Sequence, residues 1–190
     1  MDKRREENIR VKKSITEALF KLMHEKSFSD ISITEIVRFA KVARASFYRN
    51  YDSKENVLLT LIENILEQFR SGIDWNEDNY YTYQNVYNSF AYFKKYGDFL
   101  VDLYLFGYGS LLLEKLNQFH EEVAGTMPNS SIERYKLYMY MGALFNTAII
   151  WIQNGAKESI EDITDIFCRT CGVPDFNTPP VSIGDSINDF

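Results

Sequence analysis

Apolar residues recur at the spacing of an α-helix almost throughout this chain of 190 residues. Near the N-terminus, for example, Ile15, Leu19 and Leu22 are three or four residues apart, which places their side chains on one helix face. No stretch shows sustained alternation of apolar and polar residues, the period-two pattern of a half-buried strand. Such a chain buries its core by packing helix against helix, and an all-α fold is therefore predicted.

The second predicted helix has the clearest start. Ser32 is placed to be its N-cap, with Glu35 as the capping-box partner, and Ile31 and Ile36 occupy the two positions of a hydrophobic staple. The other helices are placed by periodicity and by Gly, Pro, Asn and Asp at their ends. The predicted helices cover residues 8–26, a segment from 32, 44–50, 53–72, two segments within 80–108 that meet near 97–98, 111–123, 131–153 and 159–171.

The net charge of −6 is divided unevenly along the chain. Residues 1–60 hold 13 Lys and Arg against 9 Asp and Glu, whereas residues 61–190 hold 8 against 18, so the two parts carry +4 and −10. This asymmetry is typical of a basic nucleic-acid-binding region joined to an acidic body.

Neither a signal peptide nor a membrane span is predicted. The charged residues of segment 1–13 are not followed by the apolar run of a signal peptide. The most apolar stretch, Leu137 to Ile152, is short for a membrane span and contains Asn146, so it is interpreted as a buried helix. The chain is accordingly expected to be cytoplasmic.

The residues that carry metal or catalytic chemistry are sparse. Cys168 and Cys171 have a CxxC spacing, but His24 and His120 lack ligand spacing, and a zinc site needs four ligands. The two cysteines are therefore interpreted as an apolar contact on one helix face. We see no nucleophile beside a base and no phosphate-binding Gly-rich loop, so no enzyme activity, metal or cofactor is expected.

The segment from Ser32 to Lys54 predicts a helix-turn-helix, in which two short helices joined by a tight turn place the second helix in the major groove of DNA. Phe47 is the expected inward anchor. Arg, Ser and Asn side chains can reach phosphates or base edges, although each taken singly is as consistent with a solvated surface group. The predicted DNA contacts are Thr34, Arg44, Ala45, Ser46, Tyr48, Arg49, Asn50 and Lys54.

Three stretches, Ile33–Ala40, Ala43–Tyr48 and Tyr51–Leu58, resemble the N-terminal domain of tetracycline-repressor-like (TetR/AcrR) regulators. The resemblance covers about residues 8–62. It implies an all-helical protein with a three-helix DNA-binding domain and a larger C-terminal helical domain that dimerises and usually binds an effector. By position, it gives phosphate contacts to Thr34, Ser46, Tyr48 and Lys54, and groove-facing positions to Arg44, Ala45, Ser46 and Arg49.

Two positions depart from that family's pattern. The turn after the second helix carries Lys41 where glycine is usual, and a non-glycine residue in a left-handed conformation costs about 1 kcal/mol. The helix at 44–50, which would enter the groove, is preceded by Ala43 where Ser or Thr is usual. The missing side-chain cap lowers the stability of this helix by roughly another 1 kcal/mol.

The C-terminal half is similar to one recurrent type in this family. The resemblance rests on Tyr140–Gly155, a long helix ending in Trp-Ile-Gln-Asn-Gly, followed by Glu158–Ile163. It implies that the last two helices pair with their copies in a second subunit. The predicted organisation is a DNA-binding domain at 1–54, a regulatory and dimerisation domain at 55–172, and an extended or disordered tail at 173–190.

Aromatic residues are concentrated between Tyr80 and Tyr108, where 12 of 29 residues are aromatic. They are interpreted either as core and dimer packing or as the lining of an effector cavity, in which tyrosine hydroxyls orient a ligand. The candidate effector-binding residues are Trp75, Tyr87, Phe90, Tyr104, Phe145 and Trp151.

Together these features predict a homodimeric transcriptional regulator, a repressor that a small-molecule effector releases from its operator. One alternative is a helix-turn-helix regulator that has no effector and is controlled by protein contacts. Another is an interaction protein with a degenerate helix-turn-helix, which Lys41, Ala43 and the net charge would favour.

Overall fold

The computed structural model describes residues 3–71, 81–123 and 131–173, and in these ranges the regular structure is entirely helical. The helices are α1 (Lys3–Glu25), α2 (Ile33–Ala40), α3 (Arg44–Asn50), α4 (Lys54–Ser71), α5 (Tyr83–Lys95), α6 (Gly97–Leu103), α7 (Gly109–Val123), α8 (Ile132–Gln153) and α9 (Ile160–Cys171). A short 3₁₀ turn, Phe28–Asp30, precedes α2, and a π-helical segment, Tyr104–Tyr108, joins α6 to α7. The predicted all-α class is confirmed.

The predicted start of the first helix was wrong, because α1 begins at Lys3 and not at residue 8. Its first turns consist of charged residues, which form helices readily but lack the apolar periodicity by which the helix was located. Trp75 lies outside the described residues, as does the predicted tail beyond residue 173.

The chain forms two compact units, the first ending at Ile65 and the second beginning at Leu66. The division falls within α4, whereas the sequence-based domain boundary was set at its first residue. In the first unit α1 packs against both α2 and α3. Its core is built from apolar side chains that are almost fully buried: Ile15, Leu19, Leu22, Ile36, Phe47, Leu58 and Ile62.

The start of α2 has the predicted capping box. The Ser32 hydroxyl accepts a hydrogen bond from the Glu35 backbone N–H, and the Glu35 carboxylate accepts one from the Ser32 backbone N–H. Lys26 adds an ion pair at 2.6 Å from Nζ to Oε1 of Glu35. The hydrogen bond from Lys26 and those from Ser32, in that order of size, lower the pKa of the Glu35 carboxyl to about 2. The staple residues Ile31 and Ile36 are both buried.

The turn between α2 and α3 has the two unfavourable features that the sequence predicted. Lys41 is left-handed, with φ of 55° and ψ of 39°. The Val42 N–H donates to the Val37 carbonyl at 3.1 Å, which closes the end of α2. Ala43 has the extended backbone of an N-cap but no side-chain oxygen to accept from the first turn of α3.

In the second unit, α8 lies against α5, α6 and α7, and α5 also packs on α9. The core residues of this unit include Val86, Phe90, Leu103, Leu137, Met141, Leu144, Ala148 and Ile149. The π-helical segment contains Gly107 at φ of 90°, a conformation that other residues rarely adopt. Glycine therefore permits the break between α6 and α7.

The left-handed turn residue gives a stability prediction. We expect Lys41→Gly to raise the free energy of unfolding by about 1 kcal/mol, because glycine adopts positive φ without steric cost. Urea unfolding followed by circular dichroism measures the change. Lys41→Ala is the control: it removes the same charge but keeps the steric cost, so it should leave stability nearly unchanged. Equal gains in the two variants would contradict the backbone explanation.

Candidate nucleic-acid interface

Burial of Phe47 fixes the orientation of α3. This helix has 7 residues, too few to be stable alone, and the Phe47 ring is fully buried against Tyr51 with the ring centroids 5.9 Å apart. With that side chain directed into the core, Arg44, Ala45, Tyr48 and Arg49 are exposed. The structure therefore presents the predicted groove-facing residues Arg44, Ala45 and Arg49 to solvent together with the predicted phosphate contact Tyr48, whereas Ser46 is half-buried.

Arg44 connects α3 to the start of α2. Its Nη1 donates to Oγ1 of Thr34 at 2.7 Å, and its Nη2 donates to the Tyr48 hydroxyl at 3.0 Å. The guanidinium carbon also lies 5.3 Å from the centroid of the Tyr48 ring. Three of the predicted contact residues are thus brought together on the surface, where they hold a cation beside two hydroxyl groups.

The remaining predicted residues of α3 lie along its other exposed side. The Asn50 side-chain amide donates to the Ser46 carbonyl at 2.8 Å, which fixes the Asn50 side chain beside the helix backbone. Arg49 is exposed and makes no hydrogen bond or ion pair with any residue in the described ranges. Its guanidinium is therefore available to a ligand.

Lys54, at the start of α4, has a role that the sequence did not reveal. Its Nζ donates to the backbone carbonyls of Phe28 at 2.5 Å, Ser29 at 3.1 Å and Ile31 at 2.8 Å, and lies 4.6 Å from the Phe28 ring centroid. An ammonium has three N–H donors, and each carbonyl takes one. Lys54 thereby ties α4 to the turn before α2.

This arrangement bears on the predicted phosphate contact of Lys54. In the structure its three donors are directed to protein carbonyls, so a direct phosphate contact requires at least one of them to be exchanged. The 3₁₀ turn that supplies the carbonyls comes 23 to 26 residues earlier in the chain, as the separations of the bonded pairs show. A contact so distant in sequence leaves no local signal by which it could have been predicted.

The candidate effector-binding residues of the second unit fall into separate groups. Phe90 and Trp151 meet edge to face with centroids 6.0 Å apart, and Phe90 also contacts Phe167. Tyr104 and Phe145 form another pair, 6.2 Å apart. Phe90, Phe145 and Trp151 are buried.

Two polar groups distinguish this aromatic region from a purely apolar core. Trp151 Nε1 is buried and has no hydrogen-bond partner among the described residues. Tyr87, on the surface side of α5, donates from its hydroxyl to Glu161 at 3.3 Å. The structure therefore uses most of these aromatics as packing, with one buried indole N–H left unsatisfied.

Cys168 and Cys171 lie three residues apart on α9, as predicted, but they differ in burial. Cys168 is buried, and burial raises the pKa of its thiol to about 12, whereas Cys171 is exposed. Within the described ranges no three His, Cys, Asp or Glu side chains are grouped to hold a metal ion. In the same ranges, no helix is long and apolar enough to cross a membrane.

Two short helices, a tight turn between them, and a second helix anchored by one aromatic with a polar outer face define a helix-turn-helix protein. A family model of known proteins matches this part of the chain. Residues 15–61 match the family model described as bacterial regulatory proteins, tetR family.

Proteins similar to this chain include one curated regulator and one solved structure. The HTH-type transcriptional regulator EthR of Mycolicibacterium smegmatis is 37% identical over 54 residues, which is 28% of this chain and 25% of that protein. The chain thus matches about a quarter of the length of this curated relative. The solved structure titled dihydroxyacetone kinase operon activator DhaS superposes with a TM-score of 0.52 at 20% identity, over 85% of this chain and 93% of that one. At that identity the likeness concerns the fold alone.

The contacts of Lys54 predict a structural role that can be separated from DNA binding. Because Lys54→Met leaves three carbonyls without their charged donor, we expect the free energy of unfolding to fall by about 1–3 kcal/mol. Lys21→Met is the control, since Lys21 is an exposed lysine of α1 that makes no such contacts. Urea unfolding measures both variants, and equal stabilities would contradict the structural role.

Proposed function

We propose that this chain is a homodimeric, DNA-binding transcriptional regulator that inserts α3 into the major groove of its operator. The observation that carries the proposal is the exposed cluster of Arg44, Thr34 and Tyr48, held together by hydrogen bonds of 2.7 and 3.0 Å. Cationic and hydroxyl groups on an anchored short helix are the groups that contact phosphates and base edges. The match of residues 15–61 to a family model of bacterial regulatory proteins supports the same function.

The cluster favours a specific mode of engagement. In the free protein Arg44 is the donor to both hydroxyl oxygens, so each of these hydroxyls keeps its own proton for a further acceptor. A phosphate oxygen placed beside Thr34 and Tyr48 would accept those protons and also be attracted by the guanidinium. Arg49 and Ala45, on the adjoining exposed surface, would then face the base edges. In this arrangement Arg44 orients the phosphate-binding hydroxyls before DNA arrives.

The outer face of α8 supports the dimer. The buried face of α8 packs on the rest of the second unit. The opposite face exposes four apolar side chains, which are three, four and eleven residues apart along the helix. The exposed fractions of Ile132, Tyr135, Met139 and Ile150 are 64%, 52%, 71% and 46%, and Ile166 of α9 is 56% exposed. Exposed apolar stripes of this kind mark interaction surfaces. A second copy of the chain would cover them by an isologous contact.

We further propose that the regulator is a cytoplasmic repressor and that a small molecule bound in the second unit releases it from DNA. The unsatisfied indole N–H of buried Trp151, among Phe90 and Phe167, is the polar group that a ligand acceptor would satisfy. Binding there would act through α4, which runs from one unit into the other. For release, the ligand must bind the DNA-free form more tightly.

A second candidate function is a regulator of the same kind without an effector, controlled by protein contacts. The direct packing of Phe90 on Trp151 and Phe167, and of Tyr104 on Phe145, favours it, because these aromatics then serve as core. The two candidates differ in one measurable property. Under the first, some small molecule lowers operator affinity, and under the second none does.

DNA binding itself is tested by selecting sites from random duplexes with the purified protein, followed by fluorescence anisotropy on the selected operator. We expect Tyr48→Phe to weaken binding by about 1–2 kcal/mol, roughly 5- to 30-fold, because one hydroxyl donor to a charged phosphate is lost. Tyr104→Phe removes a hydroxyl from the second unit and should bind as the unaltered protein does. Failure to select any sequence would refute the proposed function.

The dimer is tested at Met139. Since this side chain is 71% exposed, Met139→Asp should leave the fold intact, but it would bury a carboxylate in the proposed contact. We expect sedimentation to show a dimer for the unaltered chain and for Met139→Leu, and a monomer for Met139→Asp at micromolar concentration. A dimer that persists in Met139→Asp would exclude this face as the interface.

A further inference from the structure

A basic cleft lies beside the exposed face of α3, outside the contacts considered so far. Its volume is about 780 Å³, and it separates the first turns of α1 from the outer side of α3. Arg4, Arg5 and Asn8 line it from α1, and Ser46, Arg49 and Asn50 line it from α3. We call this site the α1–α3 cleft. It exists because α1 extends to Lys3, beyond the part that packs on the core.

The register of α1 explains why these side chains line the cleft. Residues 4, 8, 11 and 15 follow one another at helical spacing and share one face of the helix. Ile15 on that face is fully buried in the core of the first unit. The same face carries Asn8 two turns earlier and Arg4 three turns earlier, and both line the cleft opposite α3.

The charge of the α1–α3 cleft is strongly positive. Among the described residues, its lining includes three guanidinium groups, of which that of Arg4 already has an interaction partner, and one carboxylate, that of Glu7, which accepts from Arg10 at 3.4 Å. Arg5 and Arg49 are exposed and make no hydrogen bond or ion pair with any residue of the described ranges. The cleft therefore combines unneutralised cations from two helices with the Ser46 hydroxyl and the Asn50 side chain.

The positions of Arg4 and Arg5 are unfavourable for the helix that carries them. Both lie in the first turn of α1, where the partial positive charge of the helix N-terminus disfavours cations. Their contribution to helix stability is therefore expected to be unfavourable. A polyanion bound in the cleft would compensate that local repulsion and would complement the three guanidinium groups.

We propose that the α1–α3 cleft binds the sugar–phosphate backbone of DNA, next to the groove that α3 occupies. This inference rests on the proposed function, because Arg49 belongs both to the cleft and to the exposed face of α3. The first turns of α1 thus extend the DNA-contacting surface beyond the helix-turn-helix. Arg4 and Arg5 are the phosphate ligands from α1, and Arg49 lines the opposite side of the cleft, where it adjoins the groove-facing surface of α3. Phosphate contacts of this kind add affinity for any sequence and carry no sequence information.

The experiment compares two double variants of the full-length chain that remove the same charge from the same helix. Arg4→Gln with Arg5→Gln alters the cleft. Lys12→Gln with Lys13→Gln is the control, because neither lysine lines the cleft. Anisotropy is measured on the selected operator and on an unrelated duplex between 50 and 300 mM KCl, and circular dichroism verifies that both variants fold.

For the cleft variant we expect the slope of log affinity against log salt to become shallower by about 1.8, the value for two lost phosphate contacts. Its affinity should fall about tenfold or more at 150 mM KCl, in the same proportion on both duplexes, as loss of phosphate contacts requires. The lysine control should lose much less. Equal losses in the two double variants would overturn the proposal, since only long-range charge would then be involved.

Three other outcomes are decisive. A loss confined to the selected operator would replace backbone binding by base recognition and overturn the proposal. If inorganic phosphate at 50 mM competes with DNA for the unaltered chain, and the cleft variant abolishes that competition without weakening duplex binding, the site is one for free anions and the proposal fails. If the unaltered chain binds neither duplex, the proposed function itself fails.

Discussion

The burial of Phe47 is the interaction on which the rest of the proposed DNA-binding surface depends. A helix of 7 residues has too few hydrogen bonds to persist alone, and here it starts at Ala43, which supplies no side-chain cap. The ring of Phe47 compensates by joining the core formed by α1, α2 and the first part of α4. Because one residue fixes the rotation of α3 about its axis, the same residue decides which polar side chains face outward.

Two cations near this surface illustrate how tertiary contacts assign different roles to similar residues. Arg44 is exposed and bonded to the hydroxyl groups of Thr34 and Tyr48, the arrangement that we propose as a phosphate site. Lys54 is bonded to three carbonyls of the turn before α2 and therefore stabilises the position of α4. Solvent and DNA can reach the first cation without a change of fold. The second can reach DNA only by giving up a structural contact.

The second unit is organised around α8, whose two faces have different roles. One face supplies Leu137, Met141, Leu144 and Ala148 to the core, whereas the opposite face exposes Ile132, Tyr135, Met139 and Ile150 to solvent. A helix that is apolar around most of its circumference needs cover on all sides. The rest of this chain covers only one of them in the described residues, and a second copy is the partner we propose for the other.

Local sequence patterns determined the helical class, the positions of most helices and the capping box at Ser32, because each depends on residues within one or two turns of each other. The weak turn at Lys41 was predicted from the family resemblance, in which glycine is usual at that position. It missed the first turns of α1, where charged residues form helix without an apolar pattern. The contacts of Lys54, the bonding of Arg44 to Thr34 and the α1–α3 cleft join residues that are 10 to more than 40 positions apart. Only the tertiary structure decided these, since a side chain's partners depend on which helix the core brings beside it.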